Sequence, residues 1–331
     1  LYNKNQQVEI DQLRFKGQKD KFKRGLGNAA FRKLGASLPD SHIIIREYKK
    51  YSGTFNPKAL IQKLQLGIKK KGSEIRYYQK VLRITRKQGY YEIKIRNTKT
   101  GKIKILQSKK VAIAAGPYTP FLLQKTAPYF RKLITPKKVL LTYFRINKKT
   151  YNTYTSKQKS TIRKAQPVFD QNDAMYFSMI DKWDKDGHPI FKVGGHLLQG
   201  NIPDLDAVWR EQPRKKEVKW ALNRFVDYLR MFEIPIRKKD IECMKSSYCV
   251  YSVSKTKIPY VTPILTKNRD IDPNMVVIGG MSGTGAKGCL TYGLLAADLL
   301  LGIHNSDKMY QRTKKAMGID RLRKEVRKSF I

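Results

Sequence analysis

The chain has 331 residues, of which 40% are hydrophobic and 11% aromatic. This composition supports a sizeable buried core and excludes an intrinsically disordered chain. Lys and Arg total 69 against 26 Asp and Glu, which gives a formal net charge of +43. Such an excess favours a polyanionic partner, and nucleic acid is the usual one because phosphates bind basic surfaces whatever their sequence. An anionic membrane, an acidic partner, and a compositional bias without functional meaning stay open as alternatives.

The sequence gives no support to a metal site, a disulfide scaffold or a membrane span. Its three cysteines include no CxxC pair, and its four histidines are too scattered to predict a metal cluster. The longest apolar stretch, Leu294–Ile303, is interrupted by Asp298 and is far shorter than the roughly 20 residues that a span needs. The sequence begins at Leu1 rather than Met, so we expect any targeting segment to lie outside it.

The first part of the chain predicts a helix followed by several strands. Residues 1–50 are polar and basic, with no clear period before His42–Ile45. Pro57 suits the first turn of a helix, and apolar residues at helical spacing continue that helix to about Gly72. Strand patterns follow at Ile75–Val81, Val81–Thr85, Tyr90–Arg96, Ile103–Gln107 and Lys110–Ala115.

The rest of the chain predicts further strands and two helices. Strand patterns occur at Val139–Ile146, Ala174–Ile180, Ile190–Val193, Cys249–Ser254 and Met275–Gly280. Between them, Glu217–Phe232 predicts an amphipathic helix whose apolar face is expected to pack in the core rather than form a partner groove. A second helix is predicted over Leu290–Leu301. The segment Lys308–Lys328 has nine Lys or Arg residues against two acidic ones.

Two glycine-rich turns follow predicted buried strands. The first lies in Val111–Pro120, where small residues let the backbone approach a dinucleotide closely. The second lies in Val276–Lys287, which has the pattern strand–GxSGxGxK–helix; a helix N-terminus offers N–H groups to ligand oxygens. These turns contain Ala115, Gly116, Gly280, Ser282, Gly283, Thr284 and Gly285.

Two other segments carry reactive side chains. Phe191–His196 places Lys192 and His196 four residues apart. A surface lysine and a hydrogen-bonded histidine are the alternative. In the segment Ser247–Ser252, strand alternation places Cys249 and Tyr251 on one face. A buried core cysteine is the alternative there.

In their order and approximate spacing, these four segments resemble the flavin-dependent amine oxidases of the sarcosine oxidase and D-amino-acid oxidase family, over most of residues 43–305. The resemblance implies an α/β (α+β) FAD-linked oxidoreductase fold, with a flavin domain and an antiparallel-sheet substrate domain. It implies FAD as cofactor, with Cys249 as the position of a covalent link. The cofactor-binding residues that it implies in the two glycine-rich turns are Ala115, Gly116, Gly280, Ser282, Gly283, Thr284 and Gly285. It also implies that Lys192 promotes reaction with oxygen, that His196 and Tyr251 line the substrate pocket, and that Lys287 binds the substrate carboxylate.

The chain departs from this family in two respects. Thr284 stands where the family usually has His. The opening strand–GxGxxG–helix unit, which holds the pyrophosphate, has no good counterpart. The string Gly25–Ala30 has the form GxGxxA, but residues 21–24 do not predict a buried strand, so we do not predict a dinucleotide site there. The flavin domain is therefore expected to be an incomplete Rossmann-like unit, either because the sequence is a fragment or because the unit has been lost.

These observations predict a domain organisation. A basic extension over 1–42 is followed by a discontinuous flavin-type domain over 43–130 and 270–305. A substrate-type antiparallel domain is expected over 131–269, and a basic tail over 306–331.

The sequence favours a pseudoenzyme of the mitochondrial matrix, an RNA-contacting component of a large ribonucleoprotein such as a mitochondrial ribosome. Its partners would be rRNA or other nucleic acid and neighbouring proteins of the assembly. The predicted RNA-contacting residues are Arg321, Arg323, Lys324, Arg327 and Lys328. The alternatives are an active oxidase of a small amine or amino acid, and a subunit or assembly factor of a respiratory complex.

Overall fold

The computed structural model describes the strands Tyr2–Asn3, Phe22–Leu26 and His42–Glu47, and residues 56–329 with gaps at 165–167, 171–174, 196–198 and 203. The strands are β1 (Tyr2–Asn3), β2 (Phe22–Leu26), β3 (His42–Glu47), β4 (Gln79–Arg86), β5 (Tyr91–Asn97), β6 (Ile103–Ser108), β7 (Val111–Ile113), β8 (Ile134–Ile146), β9 (Val168–Asp170), β10 (Met175–Trp183), β11 (Pro189–Gly195), β12 (Gln199–Asn201), β13 (Ile241–Ser254), β14 (Tyr260–Leu265) and β15 (Ile271–Gly279). The α-helices are α1 (Pro57–Lys70), α2 (Thr119–Leu122), α3 (Phe130–Leu133), α4 (Lys148–Thr153), α5 (Ser156–Lys164), α6 (Leu205–Val208), α7 (Lys215–Met231), α8 (Gly285–Leu301), α9 (Lys308–Met317) and α10 (Ile319–Ser329). Within these described segments, no helix combines the length and the apolar character needed to cross a membrane.

The first of two compact units comprises Leu1–Thr54, Lys138–Gln199 and Asp206–Cys249. Its main sheet has the strand order β12-β8-β11-β10-β9, and β13 also pairs with β8. The buried face of α7 packs through aromatic rings: Phe225 lies 5.4 Å from the ring of Phe144, and Tyr228 stacks on Phe177 at 4.6 Å. The predicted amphipathic helix is therefore confirmed, and its apolar face belongs to the core, as expected.

The second compact unit comprises Phe55–Lys137, Gly200–Leu205 and Val250–Ile331. It contains the antiparallel meander β4-β5-β6 and a second sheet of order β14-β15-β7. In this second sheet, β14 and β15 are antiparallel, whereas β15 and β7 run parallel, with Met275 opposite Val111. Parallel neighbours end at the same edge of a sheet, so the segments that follow β7 and β15 begin side by side.

The structure divides the C-terminal half differently from the sequence-based domains. The last residues of β13, and all of β14, belong to the second unit. Residues predicted as a basic tail form α9 and α10 instead, because Leu322 and Val326 on α10 are buried in the core of that unit. Helix α8 begins at Gly285, five residues before the predicted start, because the glycine-rich turn is already complete at Thr284.

The N-terminal strands also differ from expectation. Residues Phe22–Leu26 form β2, although no strand was predicted there. This strand pairs antiparallel with β3, which in turn pairs antiparallel with β1. The strand of a dinucleotide-binding unit pairs in parallel with its neighbours. The string that begins at Gly25 thus starts inside an antiparallel strand, which agrees with its exclusion as a dinucleotide site.

Candidate functional site

The candidate site lies where the parallel strands β7 and β15 end. Each strand is followed by a turn with a glycine in the left-handed region, Gly116 at φ +53° and Gly280 at φ +68°. Glycine adopts this conformation without the steric cost that a side chain imposes. A Cβ atom on Gly116 would meet no other atom within 4 Å, so open space lies beside its backbone. The turn at Gly116 therefore brings open backbone to this edge of the sheet, beside the turn at Gly280.

A single hydroxyl group joins the two turns. The Oγ atom of Ser252, on β13, donates to the carbonyl oxygen of Gly116 at 3.2 Å and accepts from the N–H of Gly280 at 3.1 Å. The N–H of Ser282 donates to the carbonyl oxygen of Ser252 at 2.8 Å. Ser252 is buried, so these bonds do not compete with bulk water. Ser252 fixes the position of one turn relative to the other.

Ser282 and Ser254 hold the turn that follows β15. Ser282 has φ +49°, and its hydroxyl donates to the carbonyl oxygen of Gly280 and accepts from the N–H of Ser254, each at 3.1 Å. A Cβ atom on Gly280 would lie 2.9 Å from the Cβ atom of Ser254. Glycine is therefore required at position 280 for two reasons, the positive φ and this close approach.

Helix α8 begins directly after this turn. The hydroxyl of Thr284 donates to the carbonyl oxygen of Met281 at 2.7 Å, and the helix starts at Gly285 with no acidic residue in its first turn. The first N–H groups of a helix lack intrahelical acceptors and lie at the positive end of its dipole. Lys287 adds an exposed cation to the same turn. This end of α8 is suited to oxygen-bearing or anionic ligand groups.

The structure brings together the predicted residues of the two turns and of the first turn of α8, all of which belong to the second unit. The turns and the start of α8 together contain Ala115, Gly116, Gly280, Ser282, Gly283, Thr284, Gly285 and Lys287. On β13, the buried residues Tyr248, Val250 and Ser252 alternate with partly exposed Cys249 and Tyr251. The prediction that Cys249 and Tyr251 share one face of a strand is confirmed.

The predicted residues of the K-x-G-x-H segment belong to the first unit. Lys192 is the one partly exposed residue within β11, whose other residues are buried. Gly194 lies close to β8, since an added Cβ would be 3.2 Å from the Cδ1 atom of Leu141. His196 lies outside the described residues. The roles of Lys192 and His196 stay predictions.

Ser252 and Ser254 were not predicted as site residues. The pattern that could have identified them is their position in an alternating strand, where they take the two buried positions that follow Tyr251. Small hydroxyl residues on the buried face of a strand need internal partners, because buried polar groups are almost always hydrogen-bonded. The sequence could not show that the partners of the Ser252 hydroxyl were two distant glycine turns, or that the Ser254 hydroxyl donates to the carbonyl oxygen of Ile258.

The predicted RNA-contacting role of Arg321 requires a correction. Its side chain is only 12% exposed, forms a salt bridge with Glu325 at 2.7 Å and lies 4.2 Å from the centre of the Tyr260 ring. Its guanidinium also donates to the carbonyl oxygens of Pro259 and Ile258. Arg321 is therefore an internal anchor of α10, not a surface cation.

The other four predicted cations of α10 are exposed. Together with Asp320, they line a surface cavity of about 340 Å³; they are Arg323, Lys324, Arg327 and Lys328. Their spacing on a helix places all four on one side of α10. This surface is called the α10 basic face below.

One histidine does lie near carboxylates, although the sequence predicted no such cluster. In the turn between β10 and β11, atoms of Asp184, Asp186 and His188 lie within 4.8 Å of one another. Both carboxylates are already neutralised, Asp184 by Arg145 at 2.7 Å and Asp186 by Lys148. Asp184 also accepts the N–H groups of Asp186 and His188. We assign the cluster to the stability of this turn.

A mixed α/β chain with antiparallel sheets, whose glycine turns meet a helix N-terminus at the end of parallel strands, is typical of the flavin-linked oxidoreductases. The sequence matches the family described as FAD dependent oxidoreductase over residues 27–299. The chain belongs to this family. No curated protein matches the sequence significantly.

Solved structures with the same fold are enzymes of amino acids and amines. The L-proline dehydrogenase from P. horikoshii has a TM-score of 0.65 at 13% identity, over 96% of this chain and 76% of its own. The fructosamine oxidase (Amadoriase II) from Aspergillus fumigatus has a TM-score of 0.64 at 13% identity, over 94% of this chain and 67% of its own. The glycine oxidase from Geobacillus kaustophilus has a TM-score of 0.61 at 14% identity, over 93% and 71%. At these identities the likeness establishes the fold, and the predicted fold class is confirmed.

The cofactor of this family is FAD, and the described residues fit part of it. The open space beside Gly116 and the N-terminus of α8 can receive a flat, oxygen-bearing group without a side-chain clash, whereas Gly280 is packed against Ser254 and shapes the turn. The turns that follow β7 and β15, and the first turn of α8, are the residues that would hold it.

Proposed function

We propose that the chain is an FAD-binding oxidoreductase that oxidises the carbon–nitrogen bond of a small amine or amino acid. The observation that carries this proposal is the Ser252 hydroxyl, which joins the turns at Gly116 and Gly280 beside the N-terminus of α8. A fully satisfied buried hydrogen-bond network rigidifies the backbone that it joins, so the two turns keep a fixed shape against which a ligand can bind. Family membership and the substrates in the names of the structural neighbours support the same class of reaction.

The chain's own residues would bind and orient the substrate. The chemistry that FAD supplies when bound is the acceptance of two electrons from the substrate. Lys287 would pair with a substrate carboxylate, because it is an exposed cation in the first turn of α8. The family resemblance implies the remaining roles: Tyr251 and His196 in substrate contact, Cys249 in covalent attachment of the cofactor, and Lys192 in stabilising negative charge that develops on oxygen.

The first test is a visible absorption spectrum of the native protein, before and after acid precipitation. We expect flavin bands in the native sample, and their retention in the pellet if Cys249 carries the link. Turnover is then measured with an amino acid and with the corresponding amine that lacks the carboxylate. Lys287→Met should raise KM for the amino acid but not KM for the amine. Lys308→Met, at an exposed lysine of α9, should change neither of these two KM values. A colourless protein that does not take up added FAD would refute the proposal.

A second candidate function is supported by the α10 basic face. We propose that this surface contacts RNA phosphates in a large assembly such as a mitochondrial ribosome, in the mitochondrial matrix. The observation in its favour is that four exposed cations share one helix side with a single acidic residue, Asp320, in a chain of net charge +43. Cations so arranged bind a phosphate backbone without reading its sequence. Loss of catalysis is not required for this role.

RNA binding is tested by its salt dependence. A variant with Gln at all four positions of the α10 basic face should reduce the slope of log K against log salt by about 3, since each phosphate contact contributes close to one unit. The control variant carries Gln at four exposed lysines of the α1 region: Lys63, Lys69, Lys70 and Lys71. It loses the same charge and should reduce the slope by less. Equal slopes in the two variants would mean that the charge acts without a defined RNA site.

A further inference from the structure

The outer face of the meander β4-β5-β6 carries cations directly opposite each other. Lys80 on β4 lies opposite Arg96 on β5, and Arg83 lies opposite Lys94. Residues directly opposite each other in an antiparallel pair have their side chains on the same face of the sheet. Ile95, between Lys94 and Arg96, is buried, so the cations lie on the face that is turned away from the core. Like charges in such positions repel each other and destabilise the strand pair.

The meander provides little negative charge to offset this repulsion. Glu92 is the one acidic residue of its three strands, and it forms a salt bridge with Lys87 at 3.4 Å. The salt bridges between described residues do not include Arg83, Lys94 or Arg96. A sheet face of this kind gains stability when a polyanion binds, because each phosphate can lie between two opposing cations.

An exposed aromatic residue lies at one end of the meander. Tyr78 directly precedes β4 and is 58% exposed, and the Nζ atom of Lys99 lies 3.9 Å from the centre of its ring. The N–H of Thr98 donates to the carbonyl oxygen of Tyr78 at 2.7 Å, so Tyr78 lies at the end of the sheet where Lys80 and Arg96 are opposite each other. Its φ is +58°, an unfavourable conformation for a bulky residue. Strained residues of this kind are concentrated at binding sites.

Two exposed isoleucines lie on the same face. Ile103 lies opposite Arg96 and Ile105 lies opposite Lys94, and the two isoleucines are 54% and 60% exposed. A nucleic acid duplex presents mainly phosphates and sugars, whereas the unpaired bases of a single strand can lie against aromatic and apolar side chains. The face therefore combines cations for phosphates with surfaces for unpaired bases.

We propose that the outer face of the meander binds single-stranded nucleic acid. The phosphates lie between the opposing cations of β4 and β5, and one unpaired base stacks on the ring of Tyr78. The residues of this site, called the meander face below, are Tyr78, Lys80, Arg83, Lys94, Arg96, Ile103 and Ile105. The proposal goes beyond the contact assigned to the α10 basic face, and it depends neither on that surface nor on FAD.

The first experiment tests the cations. Binding of a fluorescein-labelled oligouridine of about ten nucleotides is followed by fluorescence anisotropy over a range of salt concentrations. All proteins carry Gln at the four positions of the α10 basic face, so that failure of that proposal and failure of this one are distinguishable. Lys94→Gln with Arg96→Gln should reduce the slope of log K against log salt by about 1.4, since each single-strand phosphate contact contributes about 0.7.

The matched control for this variant is Lys63→Gln with Lys69→Gln, at two exposed lysines of α1. It removes the same charge from another surface, so the slope should fall by less than about 0.4. Equal reductions in the two variants would overturn the proposal.

The second experiment tests the repulsion between the opposing cations in the absence of nucleic acid. Salt screens repulsion between exposed charges, so the urea concentration at half-unfolding should rise between low and high salt. The rise should be smaller for Lys94→Gln with Arg96→Gln than for the wild type, and unchanged for the α1 control. An equal rise in all three proteins would show that the opposing cations do not repel each other, and would remove the basis of the proposal.

The third experiment tests the stacked base. Tyr78→Ala should weaken oligouridine binding about tenfold without a change in the salt slope, and Tyr78→Phe, which keeps the ring, should bind as the wild type does. An RNA duplex of the same length should compete at least about tenfold less well than unlabelled oligouridine. Equal competition by the duplex or by phosphatidylglycerol vesicles, or equal binding by the Ala and Phe variants, would overturn the single-strand assignment.

Discussion

Replacement of Ser252 by Ala tests the central contact of the candidate site. The variant removes one hydroxyl and with it two hydrogen bonds, from Ser252 to the Gly116 carbonyl and from the Gly280 N–H to Ser252. A lost hydrogen bond costs about 1 kcal/mol, and a buried donor without a partner costs about 1–3 kcal/mol. The Gly280 N–H becomes such a donor, so we expect the free energy of unfolding to fall by about 2–4 kcal/mol.

The assay is urea denaturation of the purified chain, with FAD affinity as a second measurement. The control is Ser247→Ala on the same strand, a partly exposed serine, for which we expect a loss below about 0.5 kcal/mol, as for surface substitutions. FAD affinity should fall in Ser252→Ala, because the two turns are no longer fixed relative to each other, and stay unchanged in the control. If Ser252→Ala unfolded at the wild-type urea concentration and bound FAD equally well, the role assigned to this hydroxyl would be refuted.

Three further predictions concern single substitutions. Gly280→Ala should lower the free energy of unfolding by about 2–4 kcal/mol, because φ is positive and the added Cβ atom would clash with the Cβ atom of Ser254. Gly89→Ala, where φ is +79° and no atom lies within 4 Å, should lower it by only about 1 kcal/mol, as measured by urea denaturation. Arg321→Met should destabilise by about 3 kcal/mol, because it removes the salt bridge to the largely buried carboxylate of Glu325, while Arg323→Met should leave stability within about 0.5 kcal/mol and weaken RNA binding instead. The reverse pattern would contradict the assignment of the two arginines. The backbone N–H of His188, together with Arg145, lowers the pKa of the Asp184 carboxyl from 3.8 to about 2. The ionised carboxylate therefore stabilises the fold fully above the ordinary pKa, and this stabilisation is lost as the pH falls towards 2. Between pH 5 and pH 2, the urea concentration at half-unfolding should thus fall less for Asp184→Asn than for the wild type, and an equal fall would exclude this carboxylate as a cause.

The predictability of the fold depended on how local each signal was. The helix over Glu217–Phe232 was found within two residues because its apolar period is a local property. The hairpin from Tyr90 to Gln107 was found for the same reason, since its strands pair across a short turn. The two helices α9 and α10 were not predicted, because their high charge hid the few apolar positions, Leu322 and Val326, that attach α10 to the core.

The candidate site was predictable only in part. Glycine patterns located the turns at Gly116 and Gly280, because positive φ leaves a residue signature in the sequence. The serine between them left no comparable signature, since its meaning comes from partners 136 and 28 residues away. Arg321 could not be separated from its basic neighbours either, because a count of charges does not show which cation faces Tyr260.

The Ser252 hydroxyl also imposes an order of events during biosynthesis. The Gly116 turn is made 136 residues before Ser252, and at typical translation rates that interval lasts roughly 7–27 s. During this time the nascent chain holds β7 without β15, its parallel neighbour, because β15 is made later still. Long-range parallel pairing of this kind is slow to form and leaves a bare strand available for aggregation. The second unit is therefore expected to depend on chaperones while it is made, and to refold slowly after dilution from urea.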